Sequence, residues 1–179
     1  MAQVDKYKKV SFNGGTILGL VVTFIIIAGL IFLMIPTEKE RIYNDYSSQS
    51  GNTLAANHNL DEVSLKKLDK IIDKAAADEY VIVYYGATSC SACLSTIGNI
   101  VEKTRGLGFE DLYYLNSDEY EDEADIRVTL GDDSLAEKTP EVWVFNGGKL
   151  VASSLNHLNE EDVMRWDSFW LEVEHLMNK

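Results

Sequence analysis

Two cysteines, Cys90 and Cys93, are the residues whose type and spacing most clearly indicate chemistry, and the chain has no others. An apolar and aromatic run at 80–85 precedes them, and apolar residues at helical spacing follow them. This pattern predicts a buried strand, a tight turn and a helix, with Thr88 or Ser89 as the N-cap. Cys90 would then lie at the helix N-terminus, where free N–H groups and the helix dipole stabilise a thiolate.

The spacing of the two cysteines favours thiol–disulfide exchange. This reaction needs an exposed thiolate that attacks, here Cys90, and a second thiol that resolves the mixed disulfide, here Cys93. A purely structural bridge across so short a loop would add little stability. A zinc half-site and a binding module with a vestigial pair remain as alternatives. Structural zinc takes four ligands, however, and the three histidines, His58, His157 and His175, are scattered. We therefore expect no metal and no cofactor.

The strand, turn and Cys-x-x-Cys segment resembles the active-site segment of the thioredoxin-like superfamily. A second motif supports the resemblance, because Thr139 and Pro140 stand directly before a predicted strand at 141–145. The resemblance covers residues 60–179. It implies an α/β fold with a central mixed sheet flanked by helices, and a cis peptide bond at Pro140 that faces the cysteines. It also implies a substrate groove formed by Thr139, Pro140, Ser91 and Ala92.

Two positions depart from the superfamily pattern. Tyr84 stands where many thioredoxins keep a buried carboxylate, and Ser89 stands where they keep a tryptophan. The dipeptide between the cysteines, Ser91-Ala92, matches neither the reducing type nor a diagnostic oxidising type. The direction of electron flow is therefore open. The helix dipole and the missing carboxylate favour a pair that is more oxidising than that of thioredoxin.

Residues 14–36 form an uncharged stretch with an apolar core at 17–35, close to the ~20 residues that cross a bilayer. Secretory signals have shorter apolar regions of ~7–15 residues, and no Ala-x-Ala site follows. We therefore expect an uncleaved, single-pass signal anchor. Three lysines in residues 1–13 predict a cytoplasmic N-terminus by the positive-inside rule. The C-terminal domain would then lie outside the cytoplasm, where disulfides persist.

The rest of the chain is predicted as a linker at 37–59 and a domain at 60–179. In the domain we expect a first strand at 60–63, a helix capped by Ser64 and a parallel strand at 111–115. We also expect a hairpin turn at Asn146-Gly147 and a last helix capped by Asn159. The acidic stretch 118–125 lacks the glycine and glutamate positions of an EF-hand, so a solvated loop is expected.

Charge limits the possible partners. The formal net charge is −13, and because residues 1–36 carry +2, residues 37–179 carry −15. Such an acidic domain repels nucleic acid. The expected partners are the lipid bilayer and the thiols or disulfides of exported proteins or peptides, together with a membrane redox partner or secretion complex.

The sequence therefore predicts a membrane-tethered extracytoplasmic thiol–disulfide oxidoreductase. The alternative is a non-catalytic, thioredoxin-like accessory or chaperone module of a membrane secretion or transport complex. In its short anchored form, the chain is similar to the bacteriocin transport accessory proteins of Gram-positive bacteria.

Overall fold

The computed structural model describes residues 14–161 and 163–178, so the expected cytoplasmic segment 1–13 lies outside the described residues. The chain divides into two compact units, Met1–Pro36 and Thr37–Lys179. In the first unit, α1 (Gly14–Met34) contains a stretch, Ile17–Met34, that is long and apolar enough to cross a membrane. These properties suit a membrane anchor and a signal sequence alike.

The second unit is built on a five-stranded mixed sheet in the order β1-β3-β2-β4-β5. The strands are β1 (Leu60–Glu62), β2 (Tyr80–Gly86), β3 (Leu112–Asn116), β4 (Glu141–Asn146) and β5 (Lys149–Ser153). β3 is parallel to both β1 and β2, whereas β4 is antiparallel to β2 and to β5. In the register, Val83 stands opposite Tyr113 on one side and Trp143 on the other.

In the described part of this unit, the α-helices beside the sheet are α2 (Glu38–Ser47), α3 (Leu65–Lys74), α4 (Ser91–Gly106), α5 (Glu123–Leu130) and α6 (Trp166–Met177). Side chains alternate along β2, so Ile82 and Tyr84 join the core beneath α2, α4 and α6. Val81, Val83 and Tyr85 join the core beneath α3 and α5. β2 is therefore covered on both faces, as its unbroken apolar run predicts. This topology confirms the expected thioredoxin-like α/β fold.

The segment expected to be a linker contains a helix of the folded unit. Thr37 caps α2 through a reciprocal capping box with Glu40, and the helix buries Ile42 and Tyr46, which are 2% and 0% exposed. Leu54, farther along the same segment, is also buried in this core. The linker interpretation of 37–59 is therefore wrong for α2. The sequence pattern did not indicate α2, because this helix buries only two side chains and the polar stretch 47–53 follows it.

The last helix and the hairpin turn also differ from expectation. α6 begins at Trp166, and Arg165, not Asn159, occupies its N-cap position. Asn159 Oδ1 instead accepts hydrogen bonds from the N–H groups of Glu161 (3.0 Å) and Val163 (2.9 Å), which closes a local turn. The hairpin turn between β4 and β5 is Gly147-Gly148, with φ of +53° and +80°. Both residues adopt the left-handed conformation of a tight two-residue hairpin, which glycine tolerates best.

Candidate active site

Cys90 and Cys93 form a disulfide at the N-terminus of α4. Cys90 is partly exposed, and Cys93 is fully buried, as the helical spacing predicts. The expected N-caps were wrong, because Cys90 itself caps the helix. Its Sγ accepts a hydrogen bond from the backbone N–H of Cys93 at 3.1 Å. The same N–H would stabilise a thiolate on Cys90 once the disulfide opens.

Ser89 holds the neighbouring loop against the pair instead of capping the helix. Its hydroxyl donates a hydrogen bond to Asp118 Oδ1 at 2.6 Å. Asp118 lies in the 3₁₀ helix Ser117–Glu119, directly after β3. Because β2 and β3 are parallel neighbours, their C-terminal ends meet at the same edge of the sheet. The acidic stretch 118–125 therefore starts beside the cysteine pair.

The Thr139–Pro140 segment approaches the pair from the start of β4. The peptide bond between these two residues is cis, as the resemblance implies, and the carbonyl oxygen of Thr139 lies 3.7 Å from Cys90 Sγ. Both residues are partly buried, whereas Ser91 and Ala92 are exposed in the first turn of α4. The contact at Cys90 thus brings the start of α4 and the segment before β4 together.

Three tyrosines, which we call the tyrosine cluster (Tyr46, Tyr84 and Tyr114), lie on the α4 side of the sheet. Tyr84 and Tyr46 are 0% exposed, and Tyr114 is 3% exposed. The rings of Tyr84 and Tyr114 stack at 5.6 Å between centroids, and Tyr46 meets Tyr114 edge-on at 6.2 Å. The Tyr46 hydroxyl donates to the Tyr84 hydroxyl oxygen at 3.4 Å. Burial raises the pKa of all three phenols.

Sequence reasoning identified Tyr84 as a departure from the superfamily but missed its partners. The signals for Tyr46 were the Thr37-x-x-Glu40 capping box and the spacing of Ile42 and Tyr46 on one helix face. No local signal distinguishes Tyr114, because its neighbour in β3, Tyr113, has the same side chain and points to the other face of the sheet.

A buried carboxyl group directly follows Pro140. Glu141 is 0% exposed and lies on the α3 and α5 side of the sheet, where Ser153 Oγ donates to its Oε1 at 3.1 Å. Burial raises its pKa to about 7, although hydrogen-bonding groups of Trp143 and Ser153 favour the ionised form. Sequence reasoning assigned Glu141 only to a strand. Its position at the start of an otherwise apolar strand was the available signal.

The part of the chain that the structure describes contains no cluster of side chains suited to bind a metal ion. Within residues 14–161 and 163–178, no three His, Cys, Asp or Glu side chains are grouped so that they could hold an ion.

No protein-family model matches the sequence, and no curated protein matches it. Solved structures with a similar fold include thioredoxin f from spinach chloroplast in its long form, at 13% identity and a TM-score of 0.48. That similarity covers 76% of this chain and 94% of the other. Oxidised thioredoxin from Plasmodium falciparum is 18% identical, with a TM-score of 0.45, over 65% of this chain and 96% of the other. These similarities concern the fold alone.

Proposed function

We propose that the chain is a thiol–disulfide oxidoreductase, held in the cell membrane by residues 14–36, whose folded unit acts outside the cytoplasm on exported proteins or peptides. The observation that carries this proposal is the Cys90–Cys93 disulfide at the start of α4, with one sulfur partly exposed and the other buried. A pair in this position can pass a disulfide to a substrate, because the outer sulfur is accessible and the helix end stabilises it as a thiolate.

The reaction uses the two cysteines in sequence. A substrate thiolate attacks Cys90 Sγ and forms a mixed disulfide, and the electron pair of the broken Cys90–Cys93 bond stays on Cys93 Sγ. A second substrate thiolate then attacks the substrate sulfur of the mixed disulfide, and Cys90 leaves as a thiolate. The substrate loses two electrons and gains a disulfide, and the cysteine pair becomes reduced. Oxidation of the pair by a membrane redox partner restores the starting state.

The segment before β4 supports a groove for an extended substrate. The carbonyl oxygen of Thr139 lies 3.7 Å from Cys90 Sγ, and Ser91 and Ala92 are exposed in the first turn of α4. We propose that these residues and Pro140 contact the substrate backbone around its cysteine. Such main-chain contacts would allow many sequences to bind.

Membrane attachment and topology are part of the same proposal. α1 supports it by length and composition, and the lysines of residues 1–13 support a cytoplasmic N-terminus. Protease added to intact cells, after removal of any wall, should digest the folded unit. A folded unit that stays protected until the membrane is broken would refute this topology.

Trapping tests the chemistry directly. Cys93→Ala should accumulate mixed disulfides with substrates on a non-reducing diagonal gel of the intact envelope, because the Cys90 thiolate can still attack a substrate disulfide, whereas Cys93, which would release the substrate by the reverse of the first step, is gone. Cys90→Ala should trap nothing, and Ser95→Ala serves as a matched change on the exposed side of the same helix that leaves both thiols in place.

The same experiment separates the enzyme from an accessory module. A module that only presents or chaperones a partner needs neither sulfur. In that case neither single variant would trap a substrate, and the variant lacking both cysteines would keep full function in the secretion or transport process.

A further inference from the structure

The tyrosine cluster takes no part in the steps described above, yet it is fully enclosed beside the buried sulfur. Gly86 shows how close the two features lie. A Cβ atom on Gly86 would stand 2.5 Å from Tyr84 Oη and 3.1 Å from Cys93 Sγ. Tyr84 Oη and Cys93 Sγ therefore both border the space beside Gly86, where another residue would have its Cβ atom.

Opening the disulfide leaves a negative charge on a buried sulfur atom, and this charge needs stabilisation. When a substrate thiolate takes Cys90, the electron pair remains on Cys93 Sγ, which is 0% exposed. The side chains buried with it, such as Leu94 and Ile97, are apolar. A buried anion without a hydrogen-bond donor is costly, so a donor at this position would favour release of the thiolate.

The Tyr84 hydroxyl has a proton available for this purpose. Among the described residues its hydrogen-bond partner is Tyr46, whose hydroxyl oxygen lies 3.4 Å from that of Tyr84. A hydroxyl hydrogen can rotate, so with Tyr46 as the donor in this pair the Tyr84 proton can point to another acceptor. A phenol that accepts one hydrogen bond becomes a better donor in the next, because hydrogen bonds in a chain polarise one another.

We propose that the Tyr84 hydroxyl, oriented by Tyr46, donates a hydrogen bond to the Cys93 thiolate that forms when the disulfide opens. No proton is transferred: the hydrogen stays on Tyr84 and the negative charge stays on Cys93. This inference rests on the proposed function. In this proposal Tyr84 binds the buried Cys93 thiolate. Tyr46, which lies in α2, is a positioning residue for the Tyr84 hydroxyl.

The charges around the cluster are compatible with this role. Burial keeps the pKa of Tyr84 well above its usual 10, with smaller contributions from Tyr46 and Tyr114, so the group remains a neutral donor. Carboxylates act on the outer phenols: Asp118 and Glu62 add to the effect of burial in raising the pKa values of Tyr46 and Tyr114.

The test compares redox equilibria of the full-length protein in detergent micelles. Wild type, Tyr84→Phe, Tyr46→Phe and Tyr85→Phe are equilibrated with reduced and oxidised glutathione, and the reduced fraction is read by alkylation and gel shift. Tyr85→Phe is the matched control. Tyr85 is a buried tyrosine next to Tyr84 on the same strand, but it points to the opposite face and stacks on Trp143 at 5.3 Å.

Tyr84→Phe should shift the equilibrium about tenfold toward the disulfide, because a hydrogen bond to a charged group is lost. Tyr46→Phe should shift it less and in the same direction, and this variant keeps the proposal testable if Tyr84→Phe does not fold. The proposal is overturned if the Tyr84 and Tyr46 variants shift the equilibrium no more than Tyr85→Phe. A wild-type pair that does not equilibrate with glutathione would instead refute the proposed function.

Discussion

Glu141 gives the most quantitative prediction, because its carboxyl group is buried without an opposing charge in the contacts described above. The substitution Glu141→Gln keeps the shape of the side chain and removes its ionisation. Glu137→Gln is the control, since Glu137 lies in the loop directly before β4 and is exposed. The two variants differ in whether the lost carboxylate was inside the protein or in water.

The magnitude follows from the pKa of Glu141, which burial raises from 4.5 to about 7. A folded-state pKa above the unfolded value means that the folded state favours the protonated acid. The stabilisation is complete below pH 4.5 and is lost as the pH rises through about 7. At ~1.36 kcal/mol for each tenfold change in acidity, the loss is about 3 kcal/mol.

Urea unfolding of the full-length protein in micelles, with the disulfide intact, measures this effect across the pH range. From pH 4.5 to above 7, the free energy of unfolding of wild type should fall relative to Glu141→Gln by about 3 kcal/mol. Glu137→Gln should follow wild type. If Glu141→Gln has the same pH dependence as wild type, then the carboxyl group titrates normally and the reasoning from burial is wrong.

Three further predictions concern α2, Gly86 and the cysteine pair. Ile42→Ala should lower the free energy of unfolding by about 2–4 kcal/mol because it leaves a cavity in the core, whereas Asn44→Ala on the exposed side of α2 should change it little; equal values would contradict the burial of α2. Gly86→Ala should cost about 1–3 kcal/mol through overpacking, and adding Tyr84→Phe should recover part of this loss by removing the atom nearest the new methyl group; a Gly86→Ala variant as stable as wild type would contradict the close approach seen here. Equilibration of wild type with glutathione should give a reduction potential above the ~−270 mV of thioredoxin, and a value at or below it would indicate a reductase.

The elements that a local pattern determines could be predicted from the sequence. The apolar run of β2, the helical spacing after Cys93 and the hairpin at the end of β4 all have short-range signals, and the central mixed sheet flanked by helices follows from the resemblance. α2 has a capping box, but its flanking polar residues and short apolar face made it look like a linker. Helix formation there depends on the core that receives Ile42 and Tyr46, and a sequence pattern does not show that core.

The candidate site likewise contains some residues that sequence patterns predicted and others that only the tertiary structure shows. The positions of Cys90 and Cys93 follow from spacing on one helix, and the place of Pro140 follows from its motif. The tyrosine cluster unites residues from α2, β2 and β3, which lie far apart in the sequence, so only tertiary structure brings them together. The burial of Glu141 is also a tertiary property, because it depends on how β4 packs against β5 and the preceding loop.

α2 has a further consequence for the edge of the sheet. Among the strands of the described residues, β1 pairs with β3 alone, and an unpaired strand edge can template pairing with another chain. Glu38 Oε1 accepts a hydrogen bond from the backbone N–H of Glu62 at 2.7 Å, and Arg41 forms an ion pair with the Glu62 side chain. A fragment that begins at Leu60, where the thioredoxin resemblance starts, would lack this cover. Its β1 edge would be open to a second copy, so such a fragment should self-associate by strand pairing.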